Sequence, residues 1–430
     1  MVPTDGTTRR RFLAVVGASA LAGCGAIEDF GGDERTTIRS HELPDVDHEA
    51  GPRRRVAPAV PVAIDGAYLG AARDRTTDLL AALPTPLGPD EIPNGYVRER
   101  LLDASTNASD ALDEARRAET AFASMQELRR AREHARYAAA GWRFVDAGQS
   151  VASLREEHET ATAAARSMRS AYDHLGADPV RAALVHARVE RALERAADGE
   201  QPRAPDDGSA LLTVAEWGEE TESTRALLED ARHLDSQFRA SLPSDAGTVE
   251  PRLRRTAETL LSTAESRLST LPPEPTADDW GTVERVVSDL RYEAEDGLAR
   301  VAEAPGPATA VVDATGRLAH FDALDRVQDR VESGDRFRVE SAADVHQYRE
   351  TALDALASAL ADSPAPGLAR TILTDAAGRV WSADWELSRA RGETTPEQLS
   401  DPVASYVVAT ALARAAPTAS RRTADTLASA

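Results

Sequence analysis

Val97, Leu101, Ala104, Ala108, Ala111, Ala115, Ala118, Phe122 and Met125 recur at alternating steps of four and three residues, the spacing of a heptad seam along an α-helix. A strand cannot use that period, because its successive side chains point to opposite faces. After one off-phase step the pattern resumes through Leu128, Ala131, Ala135, Ala138, Trp142 and Val145, which predicts a continuous rod of about 75 Å at 1.5 Å per residue. Gly148-Gln149-Ser150 supplies a C-terminal glycine followed by an N-cap, so the chain is expected to reverse there. Val151, Leu154, His158, Ala161, Ala165, Met168, Tyr172 and Leu175 form a second seam, and the two are expected to face each other. Five of the nine residues of the first run are alanine, which lets helix axes approach closely.

Composition extends this reading to the whole chain. Its 430 residues include 82 alanines and only 5 Trp, 7 Tyr and 7 Phe, and alanine is the best helix former and a poor strand former. The expected fold is all-α, an alanine-rich bundle of long antiparallel helical hairpins in two units. Further helices are predicted over 66–83, 179–197, 209–242, 249–271, 277–304, 309–332, 341–361, 367–391 and 395–416, with Asp178 capping and Pro179 opening the second of these. Val60 to Ile64 reads as one extended segment. Pro305-Gly306-Pro307 is the candidate boundary, which divides the chain into a long-helix bundle over 62–304 and a C-terminal unit over 308–416, followed by a frayed tail at 417–430.

Acidic residues number 72 and basic ones 50, a net charge of −22, and every basic residue is arginine. Nucleic acid is excluded as a partner for such a field. The acidic, lysine-free, alanine-rich composition resembles proteins of extremely halophilic archaea, whose molar salt shortens the Debye length to about 3 Å and screens self-repulsion.

At the N-terminus, Thr8-Arg9-Arg10-Arg11-Phe12-Leu13 precedes a charge-free run from Phe12 to Gly23, and Leu21-Ala22-Gly23-Cys24 ends it. A basic region followed by a short apolar run is a secretory signal, too short to span a bilayer stably. This stretch resembles the signal of a twin-arginine-exported lipoprotein. The resemblance makes Arg9 and Arg10 the recognised pair, Phe12 and Leu13 its flank, 1–23 the cleaved peptide and Cys24 the lipidated residue. Ala14 stands where such signals usually carry a basic residue. Cys24 is the only cysteine, so no disulfide forms within the mature chain. Removing Asp5 and Arg9 to Arg11 with the signal takes the net charge from −22 to about −24. Residues 24–61 read as a lipidated tether.

Motifs for chemistry are sparse. A phosphate loop needs a lysine that the chain lacks, and no G-x-S-x-G elbow occurs in the mature chain. His41-Glu42 and His48-Glu49 lack a second histidine four residues on. Asp230-Ala231-Arg232-His233 is a weak echo of the Glu-x-x-His of helical iron sites, and reads as a solvated helix face. His158 sits on a seam, where histidine commonly fixes register by a hydrogen bond; His134, His174 and His186 come near it if the hairpins stack. Trp381 and Trp385, one turn apart, are either core or a binding surface. Asn107-Ala108-Ser109 is a weak glycosylation sequon. No catalytic, cofactor or metal-binding residue is assigned. The expected function is binding or interaction at the cell surface, with the membrane reached through the lipid and a protein as partner. The alternatives are an extracytoplasmic metal carrier or enzyme with a scattered Glu/Asp/His site, or a passive envelope spacer.

Overall fold

Side-chain caps decide where many of the helices begin. The computed structural model describes residues 37–430 apart from 47–50, 53–55, 85, 200, 206–207, 270, 272 and 277–279, so the export signal and Cys24 lie outside the described residues. The first unit holds α1 (Gly66–Ala81), α2 (Gly95–Arg117), α3 (Ala121–Ala147), α4 (Val151–Ser170), α5 (Pro179–Asp198) and α6 (Ala210–Ala240). Asn94, Thr120, Ser150, Asp178 and Ser209 each accept a backbone N–H from the first turn that follows them, which satisfies donors that a helix start leaves free. Gly148 ends α3 at a φ of 65°, a left-handed position that costs glycine little. The chain reverses there, as the sequence predicts.

The 75 Å rod does not form. Ala118 is extended, Thr120 caps a new helix, and α2 and α3 fold back on one another. The Ser124 hydroxyl donates to the Ala115 carbonyl across the turn at 2.9 Å. The heptad phase runs through this break because Ala118 and Phe122 occupy seam positions on either side of it by coincidence. Nor do the two seams chiefly face each other. α6 is the centre of the unit and packs against α3, α4 and α5. A Cβ on Gly218 of α6 would lie 2.5 Å from that of Ala140 and 3.0 Å from the Arg136 carbonyl oxygen of α3. The small residues therefore serve a close crossing, on a different helix pair from the one expected.

The second unit holds α7 (Glu250–Leu268), α8 (Thr282–Ala302), α9 (Pro307–Glu332), α10 (Ala342–Asp362), α11 (Pro366–Ser388) and α12 (Ser400–Ser429). α12 is the central helix and packs on α8, α9, α10 and α11. It continues through Pro417 to Ser429, with Ala419, Ser420, Thr423 and Leu427 buried. The frayed tail expected at 417–430 is thus a packed helix end. Proline removes one hydrogen bond, and burial of these residues together with the Thr315–Thr423 hydroxyl contact of 2.8 Å offsets the loss.

Each core holds a buried carboxylate bound by arginine. In the first unit, Glu222 receives Arg75 at 2.9 Å and Arg132 at 2.8 Å. Burial raises its pKa, but the arginine hydrogen bonds win and hold the carboxyl below the usual range. In the second unit, fully buried Asp384 receives Arg349 at 2.8 and 3.1 Å and the Tyr406 hydroxyl at 2.6 Å. Buried carboxylates persist where they are satisfied in this way.

The described residues of the expected tether, from 37 onward, are docked. β1 (Ile38–Arg39) pairs antiparallel with β4 (Glu393–Thr394), and β2 (Leu175–Gly176) pairs likewise with β3 (Gly247–Thr248). Ile38, Leu43 and Val56 enter the core of the second unit, and the Ala57 carbonyl accepts from Arg370 at 3.2 Å. A few residues on, the Pro58 carbonyl accepts from Thr120, and that of Pro61 accepts from Arg181 at 2.9 Å. The segment straps the second unit to the first. It carries no helical period because irregular chain docks through isolated apolar side chains. Val60 to Ile64 forms no strand.

Candidate functional site

Helix α5 of the first unit lies on α9 of the second, and a groove of about 1380 Å³ opens beside this contact. Its walls come from the end of α2, from α3, α5, α9 and α11, and from Gly51, Val56, Ala57 and Pro58 of the strap. In a chain of charge −22, the groove carries eight arginines against six carboxylates.

Most of these arginines are paired. Arg117 meets Glu114 at 3.2 Å, Arg130 meets Glu127 at 3.0 Å, and Arg129 meets Asp230 at 3.2 Å. Arg191 binds Asp313, Arg317 binds Glu293 at 2.8 Å, and Arg379 binds Asp289. Two differ: Arg188 and Arg195 have no hydrogen-bond or ion-pair partner among the described residues. Arg195 is exposed, where an unpaired charge is well solvated, whereas Arg188 is half-buried with its guanidinium 5.0 Å over the Phe122 ring. Burial, and then the like charge of Arg191, bring its pKa down to about 10. On the opposite wall, His320 donates through Nδ1 to the Gly316 carbonyl at 2.8 Å and leaves Nε2 without a hydrogen-bond partner. Burial and then Arg317 lower its pKa.

A second polar cluster joins the units behind a smaller cavity of about 470 Å³. Glu190 of α5 accepts from the Ala308 and Thr309 amides of α9 at 3.2 and 2.6 Å and bonds His174 Nε2 at 2.7 Å. A carboxylate at a helix N-terminus satisfies free amides and the helix dipole together. Gly306 leaves room for it, since a Cβ there would lie 2.3 Å from the Glu190 carboxyl. His186 Nε2 meets the Leu175 carbonyl at 2.7 Å and so donates to it, which makes Nδ1 the acceptor of the Tyr172 hydroxyl at 2.6 Å. Glu190, His186 and Tyr172 are each held by a neighbour, while His174 Nδ1 has no hydrogen-bond partner and faces Glu250 at 3.8 Å; the cluster reads as a joint between the units.

His174 and His186 lie in this cluster, their ring centroids 5.0 Å apart. The other two histidines do not join them: His134 meets Glu219 at 3.2 Å, and His158 meets the Thr224 hydroxyl at 3.3 Å beside Trp217. Asp230 is buried, not solvated, and receives the Tyr68 hydroxyl at 2.6 Å; burial takes its pKa up to about 6. His233 stacks on Tyr68 with centroids 4.1 Å apart. Trp381 lines the groove and stacks on Trp385, which is 47% exposed, so the pair belongs to a surface. Asn107 is exposed on α2. His41 lies in a short turn, and His48, Cys24, Arg9, Arg10, Phe12 and Leu13 lie outside the described residues. Among the described residues no group of three or more His, Cys, Asp or Glu is placed to hold a metal ion, and no helix is long and apolar enough to cross a membrane.

Sequence reasoning missed Arg188. Its local signal was an arginine on a helix with no carboxylate at i±3 or i±4, in line with Arg191 and Arg195.

Fold and groove define an all-α protein of two helical units with an arginine-lined cleft where they meet. Residues 67–245 are similar to the family described as domain of unknown function DUF8262, and residues 250–425 to domain of unknown function DUF8264. The two matches part in the turn that carries β3, while the Pro305–Pro307 break lies inside the second. No curated protein and no solved structure matches the chain.

Proposed function

We propose that the chain is an exported, lipid-anchored binding protein whose ligand occupies the groove between the two helical units. The signal-like stretch and Cys24 supply the address. The groove carries the activity: it encloses about 1380 Å³, is built from both units and the strap, and mixes charged walls with an aromatic rim at Trp381. Sites of this kind favour junctions between structural units. Gly316 adds to the case, since it stands within α9 on the groove wall and nothing lies within 4 Å of where its Cβ would be. Packing gives no reason for a residue that weakens the helix by roughly 0.5–1 kcal/mol relative to alanine, whereas an open groove does.

Address and site are tested separately. Cys24→Ser protein should leave the membrane fraction; if it stays bound through a salt wash, the lipid reading fails. In that background Ser382→Cys, on the groove wall, becomes the single thiol and takes an environment-sensitive fluorophore. Adding neutral and charged small molecules should give a saturable signal with at least one class, and Gly316→Trp should abolish it by filling the groove. A saturable signal that survives Gly316→Trp places binding elsewhere and defeats the reading.

A further inference from the structure

Among the groove's arginines, Arg188 is half-buried and has no hydrogen-bond or ion-pair partner among the described residues. Phe122 covers one face of the guanidinium, and the planar fork of donors meets neither carboxylate nor carbonyl among the described residues. A charge partly withdrawn from water and left unpaired is costly, and folded proteins rarely keep one without a partner. The neighbouring acid, Asp313, is already engaged by Arg191 one turn along α5. Of the other groove carboxylates, Glu114, Glu127, Glu133 and Asp375 face other arginines, and Glu119 is exposed.

We infer that the ligand is a small molecule carrying an oxyanion, a carboxylate or phosphate group, that seats on the guanidinium of Arg188. The inference rests on the reading of the groove as the binding site and names its ligand class. The guanidinium fork matches either group in a bidentate fashion. Size follows from the charge map: Arg188 and Arg195 are groove arginines without an acid partner among the described residues, in a chain of net charge −22. A polyanion would meet repulsion everywhere outside the cleft, whereas a small anion is focused into it. Arg195 lies two turns along the same face of α5 from Arg188, about 10 Å away at 1.5 Å per residue. A second anionic group on an elongated ligand would meet it there.

The test uses the full chain with Cys24→Ser and the Ser382 reporter, at one fixed ionic strength, with inorganic phosphate and pyrophosphate in one arm and succinate and citrate in the other. At least one oxyanion should bind saturably, and the stronger arm identifies phosphate or carboxylate as the group. Arg188→Gln should weaken binding roughly tenfold or more, the scale of a charge-assisted hydrogen bond, and Arg188→Lys should fall between the two. Arg421→Gln removes the same charge from exposed α12 surface outside the groove and should leave affinity unchanged. The melting temperature of ligand-free Arg188→Gln should not fall, because no acceptor loses its donor; a steep fall would make Arg188 a structural residue and overturn the inference. Equal losses in Arg188→Gln and Arg421→Gln would overturn it too. If only neutral compounds give a signal that Gly316→Trp abolishes, the groove reading stands and the oxyanion falls. Oxyanion binding that persists in Gly316→Trp defeats the groove itself.

Discussion

Gly218 and Gly316 both stand within long helices, where replacing glycine by alanine ordinarily adds roughly 0.5–1 kcal/mol of stability. Their surroundings give the substitution opposite signs. At Gly218 the new methyl would lie 2.5 Å from the Ala140 Cβ and 3.0 Å from a backbone oxygen, so α3 and α6 must part. Overpacking of this kind costs about 1–3 kcal/mol, more than the propensity gain. At Gly316 nothing lies within 4 Å, and the propensity gain stands alone. Thermal melts in molar salt should show Gly218→Ala lowering the melting temperature and Gly316→Ala raising it. A stabilised Gly218→Ala would mean that the two helices do not cross as closely as described.

At the scale of an element, α12 carries the clearest prediction. Its final turns follow Pro417, a residue that ordinarily ends or kinks a helix, yet Leu427 is fully buried in a core shared with α5, α7 and α9. Truncating a buried leucine costs about 2–5 kcal/mol. Leu427→Ala should therefore lower the denaturation midpoint clearly, and deletion of 417–430 should lower it further, while Arg421→Ala on the exposed side stays within about 0.5 kcal/mol of the parent. Midpoints measured in guanidinium at constant ionic strength decide the matter. A neutral Leu427→Ala would return this segment to the frayed tail that its proline suggests.

The molecule as a whole is governed by its charge. Lowering ionic strength from about 1 M to 0.01 M lengthens the Debye length from about 3 to about 30 Å, so the carboxylates behind the net charge of −22 begin to repel across entire helices. The melting temperature should fall steeply on desalting. Acidification should restore part of it, because protonating exposed carboxylates reduces the repulsion. His186 sets a limit. Burial, and then the neighbouring His174, hold its folded pKa down to about 4 against an ordinary 6.5, with Glu190 and Arg239 also acting on it in opposite directions. The unfolded chain therefore binds the proton first, and stability from this residue is lost as pH falls from 6.5 towards 4. At low salt the melting temperature should accordingly pass through a maximum on the acid side of neutrality. A melting temperature unchanged between 0.1 M and 3 M potassium chloride would make the acidic surface incidental.

What the sequence determined by itself was everything set within about one helical turn. The 3.5-residue period and the alanine content made the chain all-α. Asp178 with Pro179, Ser150 and Gly148 marked their helix ends because caps act on neighbouring amides and carbonyls. Thr120 carried the same signal and was masked by a heptad phase that continued through Ala118 and Phe122. Only the tertiary structure decided which helices meet. Alanine seams are alike and carry little shape, so α6 could displace the partner that periodicity suggested, and burial could carry α12 past Pro417. The candidate site belongs to the same class of fact. Arg132 finds Glu222 across 90 residues, while Arg188 finds no acceptor among the described residues. That difference arises because charge pairing depends on distances between helices far apart in the chain, which no local pattern encodes.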